Sequence, residues 1–229
     1  MEFFIFLNCR QSVGDKRFHF IFVPVFKKKE EFHFLATTVQ PIVYQQLSST
    51  NDEIVGIWNT TAGGDSRVAT VGTSSGQYPK AAEGPHSVLD FNLSTKYNSY
   101  GNVNVSIGSL WAGVGTGFYV KMAIGACVAT SIRFATANDA PARDPITMTL
   151  EGSNVINASL LSKGSSWTLI YNGPTGISST DPSFPRMIYV EPQNFTNTVP
   201  FTSYRFIMTS QRSSATNLQY SEAHLLGYV

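Results

Sequence analysis

Apolar residues in this chain alternate with polar or small ones in short runs, which is the pattern of half-buried β-strands. Ile132 and Phe134 alternate with their neighbours just before a polar turn. Ile146, Met148 and Leu150 alternate in the same way just after it. A period of two residues is typical of a strand with one face in a core. Helical periodicity never extends beyond two turns, so the pattern predicts an all-β protein.

The connections between the alternating segments are short and rich in glycine and proline. Short strands separated by such turn residues are typical of a β-sandwich or a jelly roll rather than an α/β fold. The sequence carries no glycine-rich nucleotide loop and no HExxH helix. The candidate strands are residues 54–59, 67–72, 103–108, 117–122, 127–136, 145–152, 167–172, 186–191, 202–210 and 218–228.

Residues 1–52 differ in composition from the rest of the chain. Their two apolar runs, at 3–7 and 18–26, are each shorter than the roughly 20 apolar residues that span a bilayer. Glu2 stands where a signal peptide carries basic residues. The stretch at 46–52 has the Ser/Thr-rich composition of a linker. We therefore expect a poorly defined segment and linker at 1–52 and a folded domain at 53–229. The alternative is that residues 18–35 add a pair of strands to the main sheet.

Composition and charge narrow the range of partners. Charged residues make up 14% of the chain and the net charge is +1, so there is no strong field to attract nucleic acid or a membrane surface. Cys9 and Cys127 belong to no CxxC or Cys/His cluster, which argues against a zinc site. Five Asn-x-Ser/Thr sequons favour a secreted, extracellular glycoprotein. They begin at Asn59, Asn92, Asn104, Asn157 and Asn194.

The turn between the strands at 127–136 and 145–152 contains several charged residues. Asp139 lies four residues before Arg143, and Asp144 follows it directly. A guanidinium group can bind a carboxylate through two parallel hydrogen bonds. We interpret Arg143 as the cation of an ion pair that fixes this loop, and contact with a ligand is the alternative.

Three stretches resemble a known family. VLDFNLSTKY at 88–97 resembles the opening motif of discoidin domains, also called coagulation-factor or F5/8 type C domains, and of related galactose-binding-like carbohydrate-binding modules. That motif reads Ala-x-Asp-Gly-Asn-x-x-Thr-x-Trp, and Asp90, Asn92 and Thr95 match its spacing. ITMTLEGSN at 146–154, followed by WTLI at 167–170, resembles an inner hairpin of the family. SYRFIMTS and YSEAHLLGY, at 203–210 and 220–228, resemble its closing strands. The resemblance covers about residues 53–229.

The resemblance implies a jelly-roll sandwich of about eight core strands. In many carbohydrate-binding members a structural Ca²⁺ lies between the opening loop and the last strand. Carried over to this chain, the metal ligands are the side chains of Asp90, Thr95 and Glu222 with the carbonyl of Asn92. Phe91 stands where the family has glycine, and Tyr97 where it has tryptophan. An insertion at 155–166 replaces the family's tight hairpin turn.

The function expected is that of a non-catalytic extracellular module that binds a glycan or glycoprotein through loops at one end of the sandwich. An adhesive or structural module that binds a protein partner is the alternative. The candidate ligand residues fall into two groups, aromatic rings for stacking and polar side chains for hydrogen bonds. The rings are Tyr97, Tyr100 and Trp111, and the polar residues are His86, Asn138 and Arg143.

An enzyme is the least favoured of the functions considered. A nucleophilic serine would need His86 or His224 as its base, and neither histidine has a local signature. Asp139 and Asp144 could form an acid/base pair, but Arg143 beside them would keep both ionised. We therefore expect no catalytic residues.

Overall fold

The computed structural model describes residues 43–102 and 112–229, and its compact unit begins at Val43. The described residues contain fourteen strands and five short 3-10 helices. None of these helices is long and apolar enough to cross a membrane. The strands are β1 (Gln45–Gln46), β2 (Glu53–Trp58), β3 (Arg67–Val68), β4 (Thr70–Val71), β5 (Gln77–Tyr78), β6 (Tyr97–Ser99), β7 (Gly117–Lys121), β8 (Val128–Ala135), β9 (Pro145–Ser153), β10 (Thr168–Pro174), β11 (Gln193–Asn194), β12 (Ser203–Gln211), β13 (Leu218–Tyr220) and β14 (Glu222–Tyr228). The 3-10 helices are Ala81–Glu83, Pro85–Val88, Pro141–Arg143, Ala158–Ser162 and Gly164–Ser166.

Two antiparallel sheets form the sandwich. The larger has the strand order β10-β9-β12-β7-β2-β3, and the smaller has the order β1-β14-β8-β11. Two short pairs, β6 with β13 and β4 with β5, complete the strands. Neighbours in each sheet are mostly distant in sequence, because the chain crosses repeatedly between the two layers. The predicted all-β jelly-roll sandwich is confirmed.

The core between the sheets follows from the alternation of side chains along each strand. On β12, Tyr204 and Phe206 point inward and belong to the main apolar cluster. Phe118 of β7 stacks on Phe206 with ring centroids 4.5 Å apart. Phe134 of β8 meets the same ring edge-on from the opposite sheet, at 6.3 Å. The contact of Phe134 with Phe206 joins the two layers.

A second, smaller cluster covers the outer face of the six-stranded sheet. Ile57, Tyr119 and Ile207 belong to it, and each is adjacent in sequence to a residue with the opposite orientation. Leu161 and Trp167 complete the cluster from the segment between β9 and β10. The insertion at 155–166 therefore packs onto a sheet face that would otherwise be exposed to solvent.

Most candidate strands are present, with three corrections. The run at 67–72 divides into β3 and β4, and the run at 218–228 divides into β13 and β14 at Ser221. Residues 186–191 form only an isolated bridge from Tyr189 to Ala135, because Pro185 and Pro192 flank the segment and Met187 has a positive φ of 54°. The candidate strand at 103–108 lies outside the described residues.

Residues 43–52, which the sequence analysis included in the poorly defined segment and linker at 1–52, are part of the folded unit. β1 pairs with β14, and the side chain of Leu47 is only 3% exposed. Ser48 Oγ lies 3.1 Å from His224 Nδ1, and Asp52 Oδ1 accepts a hydrogen bond of 2.8 Å from the Ala123 amide. The apolar run at 18–35 lies outside the described residues.

We expect a chain that begins at Glu53 to be less stable than one that begins at Val43. Removing the buried Leu47 side chain alone should lower the free energy of unfolding by about 2–5 kcal/mol. Urea denaturation of both shortened chains, followed by tryptophan fluorescence, measures the difference. Equal denaturation midpoints would place the start of the domain at Glu53.

Candidate functional site

A cleft of about 330 Å³ opens at the end of the six-stranded sheet where β2 finishes and β7 begins. The loop at 59–66 supplies most of its wall, because the chain turns there between β2 and β3. Clefts between loops at the end of a rigid sandwich are common binding sites. The lining residues are Trp58, Asn59, Thr60, Thr61, Gly64, Asp65, Asn102, Val114 and Gly115.

Trp58 is the aromatic residue of the cleft, and its ring is half-buried. One side of the ring lies against the backbone of Gly76, where an added Cβ would come within 2.0 Å of Trp58 Cε2. The guanidinium carbon of Arg67 lies 5.7 Å from the ring centroid, within the range of a cation–π contact. These two contacts fix the orientation of the indole.

The loop at 59–66 is held from below by a buried ion pair. Arg205 Nε donates to Glu151 Oε2 at 2.7 Å, and both side chains are almost fully buried. Glu151 Oε1 accepts the Gly63 amide at 2.7 Å, and Arg205 Nη1 donates to the Gly64 carbonyl at 3.0 Å. The ion pair thus holds the Gly63 amide and the Gly64 carbonyl of the loop tip against the sheet.

The cleft carries one charged side chain among its lining residues, and that side chain is acidic. Asp65 Oδ1 accepts the Gly164 amide at 2.9 Å, and Oδ2 lies 3.0 Å from Lys163 Nζ. The Gly164 N–H and then Lys163 lower the pKa of Asp65 below its ordinary value. Asp65 is therefore ionised at neutral pH, and the rest of the lining is neutral.

The structure does not bring the sequence-predicted ligand residues together. Tyr97 is fully buried between Tyr78 and Tyr220, so its ring cannot stack on a ligand and the prediction was wrong for this residue. Tyr100 is half-buried and lies outside the cleft lining. Trp111 lies outside the described residues.

The predicted polar ligand residues also lie away from the cleft. Asn138 is exposed in the loop between β8 and β9. His86 lines a smaller cleft of about 190 Å³, which also contains Asp52 and Asp90. The sequence analysis did not select Trp58 or Asn59, although the TT-GG turn that follows them marks a loop tip.

Asp144, not Arg143, is the centre of the ion-pair network in the loop at 136–144. Arg186 binds the buried Asp144 carboxylate through two hydrogen bonds of 2.5 and 2.7 Å. Arg212 Nη2 donates to the same carboxylate at 2.8 Å. Asp139 pairs instead with Lys96, at 2.7 Å. The predicted type of interaction is present, but the prediction named the wrong arginine because both true partners are distant in sequence.

The Asp90 loop (residues 89–96) brings three of the predicted metal ligands together. Thr95 Oγ1 donates to the Asp90 carboxylate at 2.7 Å and also lies 2.7 Å from the Asn92 carbonyl oxygen. The Asn92 amide donates to Asp90 Oδ1 at 2.9 Å. Phe91 has a positive φ of 60°, so the backbone adopts at this position the left-handed geometry that glycine favours.

Glu222 places its carboxyl group beside this loop, although it lies far away in sequence. The side chain is fully buried, and neither oxygen accepts a hydrogen bond of favourable geometry from the described residues. Burial is the main cause that raises the pKa of Glu222 above its ordinary value, and the Asp90 carboxylate raises it further. His224 Nε2, 3.0 Å from Glu222 Oε2, opposes this shift.

Ser48, His224 and Glu222 have the order of a hydrolytic triad but not its accessibility. Ser48 is only 4% exposed, and its hydroxyl already accepts the Leu225 amide at 3.2 Å. A nucleophile must reach its substrate and have a free lone pair. We therefore assign these contacts to holding the segment at 45–52 against β14. Phe91 stacks on the His224 ring at 4.7 Å and covers it further.

The donor set around Asp90 suits a hard cation. The described residues contain no group of three or more His, Cys, Asp or Glu side chains placed to hold a metal ion. Asp90 and Glu222 instead supply two carboxylates, and Thr95 and Asn92 supply neutral oxygens. Calcium prefers such all-oxygen sets. The buried carboxyl group of Glu222, whose oxygens accept no hydrogen bond of favourable geometry from the described residues, therefore fits a Ca²⁺ ion in chemistry.

Comparison with known proteins gives a result at the level of the fold. No protein-family model matches the sequence, and no curated protein matches it. Among solved structures, the chain is similar to the tandem family 32 carbohydrate-binding modules of Clostridium perfringens ZmpB, in complex with GalNAc, with 12% identity and a TM-score of 0.51. That match covers 80% of this chain and 36% of the two-module chain.

An F5/8 type C domain from Bacteroides fragilis is similar as well, with 8% identity and a TM-score of 0.50. This match covers 81% of the present chain and 97% of the bacterial one. The chain therefore has the galactose-binding-like jelly-roll fold shared by F5/8 type C domains and family 32 carbohydrate-binding modules. The resemblance found in the sequence is confirmed for the fold.

The two arginine assignments predict a large difference between two alanine variants. Arg212→Ala leaves the buried Asp144 carboxylate with one partner fewer and should cost about 3–5 kcal/mol of unfolding free energy. Arg143→Ala removes a cation with no direct partner at Asp144 and should cost under about 1 kcal/mol. Urea denaturation measures both. Equal losses would show that Arg143 shares in fixing the loop.

Proposed function

We propose that this protein is a non-catalytic carbohydrate-binding module whose binding site is the cleft at Trp58. The observation that carries the proposal is the combination, in one cleft, of an oriented indole and several neutral polar side chains. Sugars present both apolar C–H faces and hydroxyl groups. An aromatic ring can pack against the former, and the amide and hydroxyl groups of Asn59 and Thr61 can bind the latter.

The charge of the cleft favours a neutral or amino sugar over an acidic one. Asp65 is the one charged side chain in the lining, and it is ionised. The lining contains no cationic side chain that could pair with a uronate or a sialic acid, and Lys163 beside the cleft is already paired with Asp65. A neutral sugar needs no such partner.

The site fits a glycan or glycoprotein partner outside the cell. The sequon residues Asn157 and Asn194 are exposed, and their amide nitrogens donate no described hydrogen bond. Asn59 is also a sequon residue, and a glycan attached there would stand in the mouth of the cleft. Binding therefore requires an unmodified Asn59. An adhesive module that binds a protein through a sheet face is the alternative.

An array of printed glycans tests the proposed site. We expect binding to a neutral or amino sugar, in a panel that includes galactose, N-acetylgalactosamine, glucosamine and sialylated glycans. Asn59→Asp keeps the shape of the side chain and its tolerance of positive φ, but it replaces an amide donor with a charge beside Asp65. It should weaken binding by about tenfold or more. The protein is made in a host that adds no N-glycans.

Asn138→Asp is the matched control, because Asn138 is an exposed asparagine in a loop away from the cleft. Loss of binding in Asn138→Asp with full binding in Asn59→Asp would move the site to the loop at 136–144. Absence of binding to every glycan, together with capture of a protein ligand, would favour the adhesive alternative.

We also propose that a structural Ca²⁺ joins the Asp90 loop to the start of β14. The support is that the Asp90 and Glu222 carboxyl groups lie close to each other, and that neither forms an ion pair with a lysine or arginine among the described residues. Calcium would supply positive charge there, while the side chains of Asp90, Thr95 and Glu222 and the carbonyl of Asn92 would hold it. The ion would hold the Asp90 loop, which precedes β6, against the start of β14.

The effect of Glu222→Gln on the melting temperature should depend on whether calcium is present. A cation that binds the native state alone stabilises it by mass action, so EDTA should lower the melting temperature and added CaCl₂ should restore it. In EDTA, Glu222→Gln should melt at or above the wild type, because it removes a buried charge beside Asp90. In CaCl₂ it should melt below the wild type.

Glu191→Gln is the control for this experiment, since the Glu191 side chain is exposed and does not belong to the Asp90 loop. It should respond to calcium as the wild type does. A melting temperature that is the same in EDTA and in CaCl₂ for the wild type would rule out the metal.

A further inference from the structure

The segment at 154–167 contacts the loop that forms the cleft. It contains the insertion that replaces a tight hairpin turn between β9 and β10, and it lies over the outer face of the sheet through Leu161 and Trp167. The same segment also contacts the loop at 59–66 through its backbone. The Ser66 amide donates to the Ser162 carbonyl at 2.8 Å. Two segments that are distant in sequence therefore share a backbone hydrogen bond next to the cleft.

Gly164 is the point of closest approach. An added Cβ at this residue would come within 2.0 Å of the Gly63 carbonyl oxygen and 2.7 Å of the Gly64 carbonyl carbon. The φ of Gly164 lies outside the positive region, so its own backbone conformation does not require glycine. Glycine is needed here because only a residue without a side chain lets the two backbones touch.

Asp65 connects the cleft to the same segment. Its two carboxylate oxygens are bound by the Gly164 amide at 2.9 Å and by Lys163 Nζ at 3.0 Å. The Trp167 ring covers Arg205, whose guanidinium carbon lies 4.8 Å from the ring centroid. Arg205 is the residue that donates to the Gly64 carbonyl. The segment thus supports the loop both directly and through the buried ion pair.

We propose that the segment at 154–167 is a positioning element of the binding site, which holds the loop at 59–66 in its binding-competent shape. This inference rests on the proposed function of the cleft. A binding loop that is fixed before the ligand arrives loses less conformational entropy on binding. Gly164, Lys163 and Trp167 lie outside the cleft lining, so they act through the loop and not by touching the glycan.

The decisive variant is Gly164→Ala, with Ser165→Ala as its matched control. Ser165 is the exposed neighbour of Gly164 in the same short helix, and its side chain makes no described contact with the loop. The full chain is used for both. Hydrogen–deuterium exchange follows the amides of Gly63 and Ser66, while the array glycan that the wild type binds best measures affinity.

We expect Gly164→Ala to speed exchange at Gly63 and Ser66, to leave exchange in β8 and β14 unchanged, and to weaken glycan binding by about tenfold. Ser165→Ala should match the wild type in both measurements. Wild-type exchange at Gly63 and Ser66 in Gly164→Ala, or unchanged glycan affinity despite faster exchange, would overturn the inference.

A second variant covers the case in which Gly164→Ala unfolds as a whole. Lys163→Met removes an exposed ion pair, which contributes little to stability. It should still weaken glycan binding by about threefold, because it frees one of the two Asp65 oxygens from the segment. Unchanged affinity in this variant would also overturn the inference. A wild type that binds no glycan while the exchange results hold would instead contradict the proposed function alone.

Discussion

The buried ion pair between Glu151 and Arg205 is the interaction on which the candidate site depends. It exists because β9 and β12 are paired with these two residues directly opposite each other, both on the outer face of the larger sheet. A buried charge pair is tolerated only when its remaining hydrogen-bonding groups are satisfied. The Gly63 amide and the Gly64 carbonyl provide two of those partners, so the loop that forms the cleft also helps to stabilise the pair.

Glu222 is a buried carboxyl group for which the described residues provide fewer partners. Its carboxyl group is as deeply buried as that of Glu151, but it faces Asp90 and has no arginine partner. The neighbouring His224 supplies one contact, and its other ring nitrogen is held by Ser48 of the segment before β2. The two buried glutamates therefore differ in what compensates their charge. Glu151 pairs with Arg205, whereas Glu222 pairs with no lysine or arginine among the described residues, and this difference is the basis of the proposed calcium site.

The sequence predicted the fold well because the fold is determined by alternation, which is local. Within the described residues, every candidate strand except 186–191 overlaps an observed strand. The site was harder to predict, because its contacts join residues that are distant in the chain. Arg143 is adjacent to Asp144, but Arg186 and Arg212 bind it. Tyr97 was selected as an aromatic residue in a polar loop, yet it begins a short strand, β6, whose pairing with β13 buries the ring.

Two signals in the sequence did point to the cleft, although neither was sufficient. Trp58 ends a clear strand and precedes a turn with two threonines and two glycines, which is the usual position of a loop tip. The insertion at 155–166 departs from the family's pattern, and such departures often carry what is specific to one protein. Only the structure shows that these two segments touch, because no local pattern encodes the contact of Gly164 with Gly63.

The central claim is that the cleft at Trp58 binds a sugar, and amide NMR tests it most directly. N-acetylgalactosamine and glucosamine are titrated into the ¹⁵N-labelled protein, with sialic acid as the acidic comparison. The account predicts that a neutral or amino sugar shifts the indole N–H of Trp58 and the amides of Asn59 and Gly64, while resonances of the loop at 136–144 stay in place. Shifts confined to Asn138 and Arg143, with none at Trp58, would contradict it.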